Sequence, residues 1–483
     1  MYSRRFLLAG LLATTATAAG ATAPTKSARP VARSDDFARK VDPTAKDIVG
    51  QAGLSGVTGF AVADATSGIS IEQFQADEAL PPASVAKMLT ALYGLDRLGA
   101  GFRFNTRLVS DGVIEGGTLR GDLWLVGGGD PTLNTDDLGR MVADLHRSGV
   151  RSIDGSFYVQ NSALPAIPFI DRDQPDYLGY NPTIGAVNLN FNRVHFEWRR
   201  GADGYRTTMD ARAKRHAPAV EMATMRIVSR DFPVYAYALE KGRDAWTVSR
   251  SALGGGGARW LPVRQPALYA ADVFGQLARA KGISLPAGQV TDRPAKGRIL
   301  VQHASVPLSE MCRDMLKFST NLTAEVIGLQ ASGAKTLRSS AAAMNEWAKE
   351  RFGVDAQLVD HSGLGDRSRI SASDLVQILV AAANGPIGAL MKPIKLRDAN
   401  GKVVDGQGIE VTAKTGTLNF VSTLAGYVIT PQGTKWAFAI VSADLAARGK
   451  IKKSDRERPR GASGWNRRAK SMQQRLLHRW GRA

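Results

Sequence analysis

The chain has 483 residues, an apolar content of 44% and a formal net charge of +19. This length exceeds what one core usually organises, so we expect two or more domains. A single cysteine, Cys312, excludes an internal disulfide, a cysteine-rich zinc site and an iron–sulfur cluster. The six histidines lack metal-binding spacing, so we expect neither a metal nor another cofactor.

Residues 1–23 have the pattern of an export signal. Arg4 and Arg5 precede an apolar run from Phe6 to about Leu12, and small residues follow. The stretch "SRRFLL" partly matches a twin-arginine signal, so both the general secretory route and the twin-arginine route stay open. No later segment is apolar for the roughly 20 residues that a membrane span needs. We therefore expect an exported, soluble protein, which argues against a nucleic-acid partner.

The next elements, in chain order, are a hairpin and a helix. A polar linker ends near Asp36, and "TGFAVADATSGISIEQF" then alternates apolar and polar residues on both sides of a turn at Ser67-Gly68. The stretch "SVAKMLTALYGLDRLG" has apolar residues at a helical period, and Pro81-Pro82 mark its entry.

Residues 99–263 have a different sequence pattern from the segments on either side. Short strand-like pieces alternate with glycine-rich turns there, which predicts a β-rich insertion. Helical periods return after residue 264, and strands follow in "GIEVTAKTGTL" and "STLAGYVITPQGTKWAFAIVSAD". Strands at both ends of a helical middle predict an α+β domain, formed by residues 24–98 and 264–447, whose terminal strands share one sheet.

Residues 448–483 form a strongly basic C-terminal tail. They contain thirteen Lys or Arg and two Asp or Glu. Two interpretations stay open: a solvated, mostly disordered tail, and a segment attracted to an anionic envelope polymer or membrane surface. The last residues could also form a short amphipathic helix, with Met472, Leu476, Leu477 and Trp480 near one side.

Three short motifs carry the chemistry. Ser84-x-x-Lys87 opens the first predicted helix, Ser319-Thr320-Asn321 lies between two helices, and Lys414-Thr415-Gly416-Thr417 lies in a predicted strand. Each motif alone occurs by chance on ordinary helix or strand surfaces. All three in this order form the motif set of penicillin-binding proteins and serine β-lactamases.

The spacing of the first motif suits nucleophilic catalysis. Residues three apart lie on one helix face, so Lys87 can reach the hydroxyl of Ser84 and accept its proton. A lysine is a base only when its pKa falls below the usual value of about 10.4. Burial lowers it, and we expect Lys414 to act as a second cation that lowers it further.

The other motifs supply the remaining catalytic functions. Ser319 could relay a proton to a leaving amine, and Asn321 could hold Lys87 and a substrate amide. Lys414 with the hydroxyls of Thr415 and Thr417 suits a substrate carboxylate. The backbone N–H groups of Ser84 and Thr417 would form an oxyanion hole. Gly416 would leave room for a peptide along the strand.

Beyond these motifs, the chain resembles the type-4, low-molecular-mass class C penicillin-binding proteins, which are D-alanyl-D-alanine carboxypeptidase/endopeptidases. The gap between Ser84 and Ser319 is much longer than in a compact β-lactamase. The segments that carry the resemblance, between about Phe37 and Ala447, are "GGGDPTL", "NPTIGAVNLNFNRVHF", "FSTNLTAEVIG" and "DHSGLGDRSRIS". The resemblance implies the serine β-lactamase/DD-peptidase-like fold with a large insertion.

The same resemblance implies a function. Such enzymes cleave peptidoglycan stem peptides in the periplasm through a serine acyl-enzyme, and penicillins acylate them. The leaving group is a terminal D-alanine or the amine of a cross-linked diaminopimelate residue. β-Lactam antibiotics would then be inhibitors, and nucleic acid would not be a partner.

Side-chain recognition is where the chain departs from the family. The resemblance suggests Asp130 as a ligand for a substrate amine, although an aspartate before Pro131 is equally suited to a turn. Many members have an arginine for the substrate carboxylate where this chain has Asp366. Arg367 or Arg369 could substitute from a shifted loop.

Two alternatives compete with a DD-peptidase. A β-lactamase-like hydrolase or an esterase could use the same scaffold, but the long insertion argues against both. A catalytically inactive envelope-binding protein could keep the fold. The intact Ser84, Lys87, Ser319, Asn321 and Lys414 argue against it.

Overall fold

The computed structural model describes residues 43–482. Within this range the chain forms eleven α-helices and twenty β-strands. The helices are α1 Ala45–Gln51, α2 Ala86–Leu98, α3 Thr135–Arg147, α4 Pro266–Ala280, α5 Leu308–Phe318, α6 Asn321–Ser332, α7 Leu337–Phe352, α8 Ala372–Ala381, α9 Ile387–Leu390, α10 Leu445–Gly449 and α11 Ala462–Gly481. The strands are β1 Val57–Asp64, β2 Ser70–Phe74, β3 Asn105–Ser110, β4 Val113–Glu115, β5 Thr118–Arg120, β6 Leu123–Val126, β7 Ser152–Ile153, β8 Phe157–Gln160, β9 Arg193–Gly201, β10 Gly204–Asp210, β11 Ala223–Val228, β12 Tyr235–Glu240, β13 Arg243–Ser249, β14 Gly256–Pro262, β15 Gly288–Thr291, β16 Arg298–Ala304, β17 Lys392–Pro393, β18 Glu410–Leu418, β19 Val421–Ile429 and β20 Lys435–Ala443.

A six-stranded antiparallel sheet joins the two ends of the chain. Its order is β17-β18-β19-β20-β1-β2, and β1 pairs with β20 along its whole length, from Val57 opposite Ala443 to Asp64 opposite Trp436. The expectation that terminal strands share one sheet is confirmed, as is the hairpin formed by β1 and β2. The export signal predicted over residues 1–23 lies outside the described residues. No described helix combines the length and apolar character that a membrane span requires.

Helices cover one face of this sheet and form the main core. Helices α2, α5, α6, α7 and α8 contribute most of its buried apolar side chains. Helices α2 and α6 approach closely at Gly94, where an added Cβ would lie 2.5 Å from Cγ2 of Ile327. Because α2 follows Ser84 and α6 begins at Asn321, this contact places two of the three motifs side by side.

The insertion has its own core and extends further than the sequence predicts. Its largest sheet has the order β15-β8-β6-β3-β16, and helices α3 and α4 pack within the same apolar cluster. Strand β16 pairs with β3, and β15 pairs with β8. The predicted boundary at residue 263 is therefore wrong. The insertion continues to about Ala304. The predicted boundary falls too early because helical periodicity predicts α4 but does not show which core this helix joins.

The basic C-terminal segment is part of the fold. Helix α11 lies on the other face of the central sheet and buries Met472, Leu476, Leu477 and Trp480 against it. The rings of Phe60 and Phe438 lie 5.7 and 5.8 Å from that of Trp480. The amphipathic helix is confirmed, and a solvated tail is wrong for residues 462–481. The charge count of residues 448–483 did not indicate this packing. It does not record that the apolar residues of α11 recur about once per helical turn and therefore share one face.

Replacement of Trp480 by alanine should destabilise the protein by about 3–5 kcal/mol, as for large buried aromatic residues. The change removes both ring contacts and the hydrogen bond from the indole Nε1 to Glu72. Urea unfolding followed by tryptophan fluorescence would measure it. Ser471→Ala, on the exposed face of α11, is the matched control and should change stability by less than about 0.5 kcal/mol. Equal stability of both variants would show that α11 does not support the sheet.

Candidate active site

Ser84 occupies a short 3₁₀ turn, Ala83–Val85, that leads into α2. Ala83, directly before it, has a φ of 46°, in a region that non-glycine residues seldom adopt. Two glycines allow neighbouring segments of the chain to pack directly against this turn. A Cβ on Gly363 would overlap the carbonyl oxygen of Ala83, and one on Gly416 would lie 2.8 Å from that of Pro82. Tertiary packing therefore holds the turn that carries Ser84 in place, with the backbone strain at Ala83.

Lys87 lies one turn below Ser84 and is completely buried. Its Nζ contacts three oxygens: Oγ of Ser84 at 3.0 Å, Oδ1 of Asn321 at 2.8 Å and the carbonyl oxygen of Ser362 at 2.7 Å. Three acceptors match the three N–H donors of an ammonium group. In a neutral amine, two N–H groups can serve Asn321 and Ser362, which leaves the lone pair for the hydroxyl proton of Ser84.

Burial lowers the pKa of Lys87 to about 8, while the nearby carboxylates of Glu325 and Asp360 oppose that change. The lowered pKa agrees with the requirement for a base. Burial is the largest cause of this lowering. The pKa of Lys414 also falls, to about 6, through burial and then through the charge of Lys87. Repulsion between two cations is mutual, so the expected coupling between these two lysines is present.

Two buried carboxylates behind Lys87 were missed by the sequence motifs. Glu325 accepts hydrogen bonds from the backbone N–H groups of His361 (3.0 Å) and Ser362 (2.9 Å), and burial raises its pKa to about 8. Asp360 accepts from Gly363 and Gly365, at 2.7 and 2.5 Å, and burial likewise raises its pKa. These contacts fix the loop whose Ser362 carbonyl receives Lys87. The sequence did contain one indication of a buried carboxylate, because Glu325 is an acidic residue within the apolar pattern of "NLTAEVIG".

Ser319 and Lys414 form the second pair of the site. Ser319 ends α5 in the left-handed conformation, with a φ of 57°. Nζ of Lys414 donates hydrogen bonds to Oγ of Ser319 and, at 2.8 Å, to the carbonyl oxygen of Thr415. The structure therefore brings Ser84, Lys87, Ser319, Asn321 and Lys414 together, from two helix entries and one strand.

The insertion reaches this site through Asn321. The amide Nδ2 of Asn321 donates to the carbonyl oxygen of Tyr180 at 2.9 Å. Tyr180 and Gln174 line a cleft of about 280 Å³ together with Ser84, Ser319 and Thr417. The sequence motifs did not indicate either of these insertion residues. In the described part of the chain, no group of three or more His, Cys, Asp or Glu is placed to hold a metal ion.

Residues 415–417 lie at the edge of the sheet beside Ser84. Thr417 is exposed to the cleft, whereas Gly416 is buried. A Cβ on Gly416 would point into the protein, overlapping Oγ1 of Thr423. The expected reason for this glycine is therefore wrong. Gly416 allows β18 to approach the Ser84 turn rather than giving room to a bound peptide.

Asp130 is buried in the insertion, with 1% of its surface exposed, and it is not among the residues that line the cleft. Its Oδ1 accepts hydrogen bonds from the backbone N–H and the hydroxyl of Thr132, at 2.8 and 2.7 Å. Its Oδ2 lies 3.8 Å from Nε2 of His303. This geometry fits the turn interpretation, and the contact between Asp130 and a substrate amine stays a prediction.

The cationic groups of the cleft come from an unexpected segment. Arg367 is exposed and Arg369 donates to the carbonyl oxygens of Asp366 and Ser368, so neither lines the cleft. Arg448 and Arg456 line it instead. Both guanidinium groups form ion pairs with the carboxylate of Asp366, which Arg456 reaches at 3.0 Å. Asp366 therefore holds two arginines from the C-terminal segment.

Comparisons with known proteins agree with this geometry. The chain is 27% identical over 453 residues to a D-alanyl-D-alanine carboxypeptidase from Actinomadura sp. (strain R39), covering 85% of this chain and 81% of that protein. The crystal structure of penicillin binding protein 4 from Haemophilus influenzae has the same fold. The TM-score is 0.71 at 19% identity, and the match covers 92% of this chain and 100% of that one. A second structure of that protein is complexed with a β-lactam.

A family model also matches most of the chain. The model of the D-Ala-D-Ala carboxypeptidase 3 (S13) family covers residues 44–459, which include every motif of the cleft. The strands and helices that carry those motifs lie within the same range. The chain therefore belongs to the D-Ala-D-Ala carboxypeptidase 3 (S13) family and is a serine-type DD-peptidase, a hydrolase.

Proposed function

We propose that Ser84 is the nucleophile of a peptidoglycan DD-peptidase and that Lys87 is its general base. One observation carries this assignment: Nζ of the fully buried Lys87 lies 3.0 Å from Oγ of Ser84 while two further acceptors hold it in place. Two fixed acceptors direct the lone pair of the neutral amine at the hydroxyl. Family membership supplies the reaction, which is hydrolysis of a peptide bond that follows D-alanine.

In the acylation step, Lys87 accepts the proton of the Ser84 hydroxyl while Oγ attacks the carbonyl carbon of the penultimate D-alanine. The backbone N–H groups of Ser84 and Thr417 stabilise the oxyanion of the tetrahedral intermediate. The bond to the leaving amine then breaks, and Ser319, hydrogen-bonded to Lys414, delivers its hydroxyl proton to that amine. The proton that Lys87 accepted replaces the one lost by Ser319, so Lys87 is neutral again before the ester is hydrolysed. An ester between Ser84 and the stem peptide results.

In the deacylation step, water attacks the ester carbonyl carbon and the proton it loses returns to Ser84 through Lys87. The shortened stem peptide leaves with a free carboxylate. Lys414, Thr415 and Thr417 bind the carboxylate of the leaving residue before the first step. That residue is the terminal D-alanine in the carboxypeptidase reaction and diaminopimelate in the endopeptidase reaction.

Arg448 and Arg456 bind a second carboxylate, on the side chain of the substrate residue before D-alanine. Their guanidinium groups share the single carboxylate of Asp366, so the positive charge in this part of the cleft is not fully balanced. Nε of Arg448 is also buried without a hydrogen-bond partner among the described residues. A substrate carboxylate would balance the excess positive charge and accept a hydrogen bond from Nε of Arg448.

Cleavage of peptidoglycan places the enzyme in the bacterial cell envelope. Export through the signal expected in residues 1–23 would deliver it to the periplasm, by the secretory or the twin-arginine route. Attraction of the basic C-terminal segment to an anionic membrane surface is weaker than its charge suggests. Arg448, Arg456 and Arg479 are held by Asp366 and Glu72 within the protein.

Incubation with benzylpenicillin should add one penicilloyl mass to the peptide that contains Ser84, and the adduct should persist for many minutes. Ser84→Ala should lose the adduct and peptide cleavage while unfolding at the same temperature as the wild type, since no hydrogen bond other than that with Lys87 is found for its hydroxyl among the described residues. Intact-protein mass spectrometry with peptide mapping is the measurement. Rapid hydrolysis of the drug without an adduct would favour a β-lactamase-like enzyme. Cleavage by a folded Ser84→Ala variant would exclude the mechanism.

The rate constant of acylation should rise with pH until about pH 8. The base must be neutral, and burial sets the pKa of Lys87 near 8, so each unit below that pH reduces the neutral fraction roughly tenfold. Stopped-flow acylation by a chromogenic penicillin between pH 5.5 and 9 would measure the profile. A flat profile, with the fold intact over this range, would mean that Lys87 is not the base.

Arg456→Gln should raise KM for a stem peptide with a free side-chain carboxylate by about tenfold or more, because a charge-assisted hydrogen bond is lost. The same variant should have an unchanged KM for a peptide whose carboxylate is amidated. Arg367→Gln, an exposed change on the neighbouring loop, is the matched control and should affect neither substrate. An equal effect of Arg456→Gln on both peptides would indicate a structural role only.

A further inference from the structure

A second groove adjoins the active-site cleft around the edge of β18. It has a volume of about 800 Å³ and shares Thr417 and Asn466 with the cleft. Its walls are β18 and β19, the turn at residues 394–401 and the first half of α11. Because the two cavities meet at Thr417, a chain bound beside Ser84 can continue from one into the other.

The charge of this groove is strongly positive. Four cations, Arg397, Arg467, Arg468 and Lys470, line it with one carboxylate, Asp398. Asp398 already accepts hydrogen bonds from two backbone N–H groups of its own turn, at 2.8 and 2.9 Å. We refer to this cavity as the basic groove.

Three of these cations are free within the described chain. The side chains of Arg467, Arg468 and Lys470 are exposed and form neither an ion pair nor a hydrogen bond with a described residue. Other arginines of the C-terminal segment, such as Arg448 and Arg479, are paired. Arg467, Arg468 and Lys470 lie where α11 borders the groove, and they are available to an anionic ligand.

The junction of the two cavities offers partners for a peptide backbone. The amide Nδ2 of Asn466 donates to the carbonyl oxygen of Leu418 at 2.9 Å, while its Oδ1 is buried without a hydrogen-bond partner among the described residues. Strand β17 pairs with β18 only at Thr412 and Ala413. From Lys414 onward, the outer edge of β18 is free of a described strand and can receive an extended chain.

The position of the basic groove identifies which half of a substrate reaches it. Thr415 lines the groove but not the cleft, and Thr417 lines both. In the proposed mechanism these threonines hold the carboxylate of the leaving residue. Whatever is attached to that residue must therefore extend into the groove. A leaving D-alanine ends at this point, whereas a leaving diaminopimelate residue continues into a second stem peptide.

We infer that the basic groove binds the leaving stem peptide of a cross-linked substrate and thereby favours endopeptidase action. This inference rests on the proposed function. The leaving stem is an acidic peptide, with free carboxylates on its glutamyl and diaminopimelyl residues. Arginine and lysine side chains on α11 match such carboxylates, and the pairing weakens as ionic strength rises.

The test compares two substrates with one charge-neutral variant, Arg467→Gln/Arg468→Gln/Lys470→Gln. For a cross-linked muropeptide dimer, kcat/KM should fall about fivefold or more. D-Alanine release from a monomeric pentapeptide and acylation by benzylpenicillin should stay within about twofold of the wild type. The matched control, Arg338→Gln/Lys349→Gln/Arg351→Gln, removes three exposed cations from α7 and should change neither substrate.

A second substrate pair tests charge complementarity directly. If the glutamyl carboxylate of the leaving stem is amidated, and the diaminopimelyl carboxylate beside the scissile bond is left free, the wild type should lose the same factor on the dimer as the triple variant does. The triple variant should then show no further loss. Raising the salt concentration from 50 to 300 mM should lower dimer cleavage by the wild type more than by the variant.

Three results would overturn the inference. They are an unchanged kcat/KM on the dimer, an equal loss on dimer and pentapeptide, and a loss on the dimer that amidation does not reproduce. Binding of the wild type, but not of the variant, to phosphatidylglycerol vesicles with unchanged dimer cleavage would assign the groove to a lipid surface instead. Failure of the wild type to release D-alanine or to form the penicilloyl adduct would refute the proposed function rather than the groove.

Discussion

The site depends on the burial of one lysine. Lys87 has no exposed surface, and a cation in such a place is costly unless its N–H groups are matched by acceptors. Its acceptors come from the turn before α2, from the start of α6 and from the loop at Ser362. The same burial that requires these partners also lowers the pKa of the lysine, so the stability of the arrangement and its basicity have a common physical origin.

Strain around Ser84 is distributed over several elements. Ala83 holds a positive φ, and Ser319 does so at the end of α5. Neither conformation is favourable in isolation, and each persists because close-packed neighbours leave no alternative. Gly363 and Gly416 make this packing possible, since a side chain on either would collide with the turn that carries Ser84. The nucleophile is therefore positioned by contacts from distant parts of the chain.

The insertion and the C-terminal segment complete the cleft from opposite ends of the sequence. Tyr180 anchors the insertion to Asn321, while Arg456 and Glu457 bring the C-terminal segment to the same cavity. Glu457 pairs with Arg259 of the insertion at 2.9 Å, and Lys453 pairs with Asp176 at 3.2 Å. Because these ion pairs cross the cleft, the segment after Arg448 is part of the cleft as well as of the fold.

The sequence by itself determined the local features that short-range physics controls. The hairpin of β1 and β2, the helix after Ser84, the three motifs and the apolar face of α11 all follow from residue type and spacing. Lys87 could be assigned to Ser84 because residues three apart must share a helix face. The α+β class followed from the order of helical and strand periods.

Only the tertiary structure decided features that depend on contacts between distant residues. It assigned α4 and β16 to the insertion, buried Asp130 and placed Arg448 and Arg456 in the cleft beside Asp366. It also showed that Glu325 and Asp360 support the loop behind Lys87, and that burial is the largest cause of the lowered pKa of this lysine. Burial, ion pairing and pKa are properties of three-dimensional neighbours, and periodicity along the chain does not specify which distant residues those neighbours are.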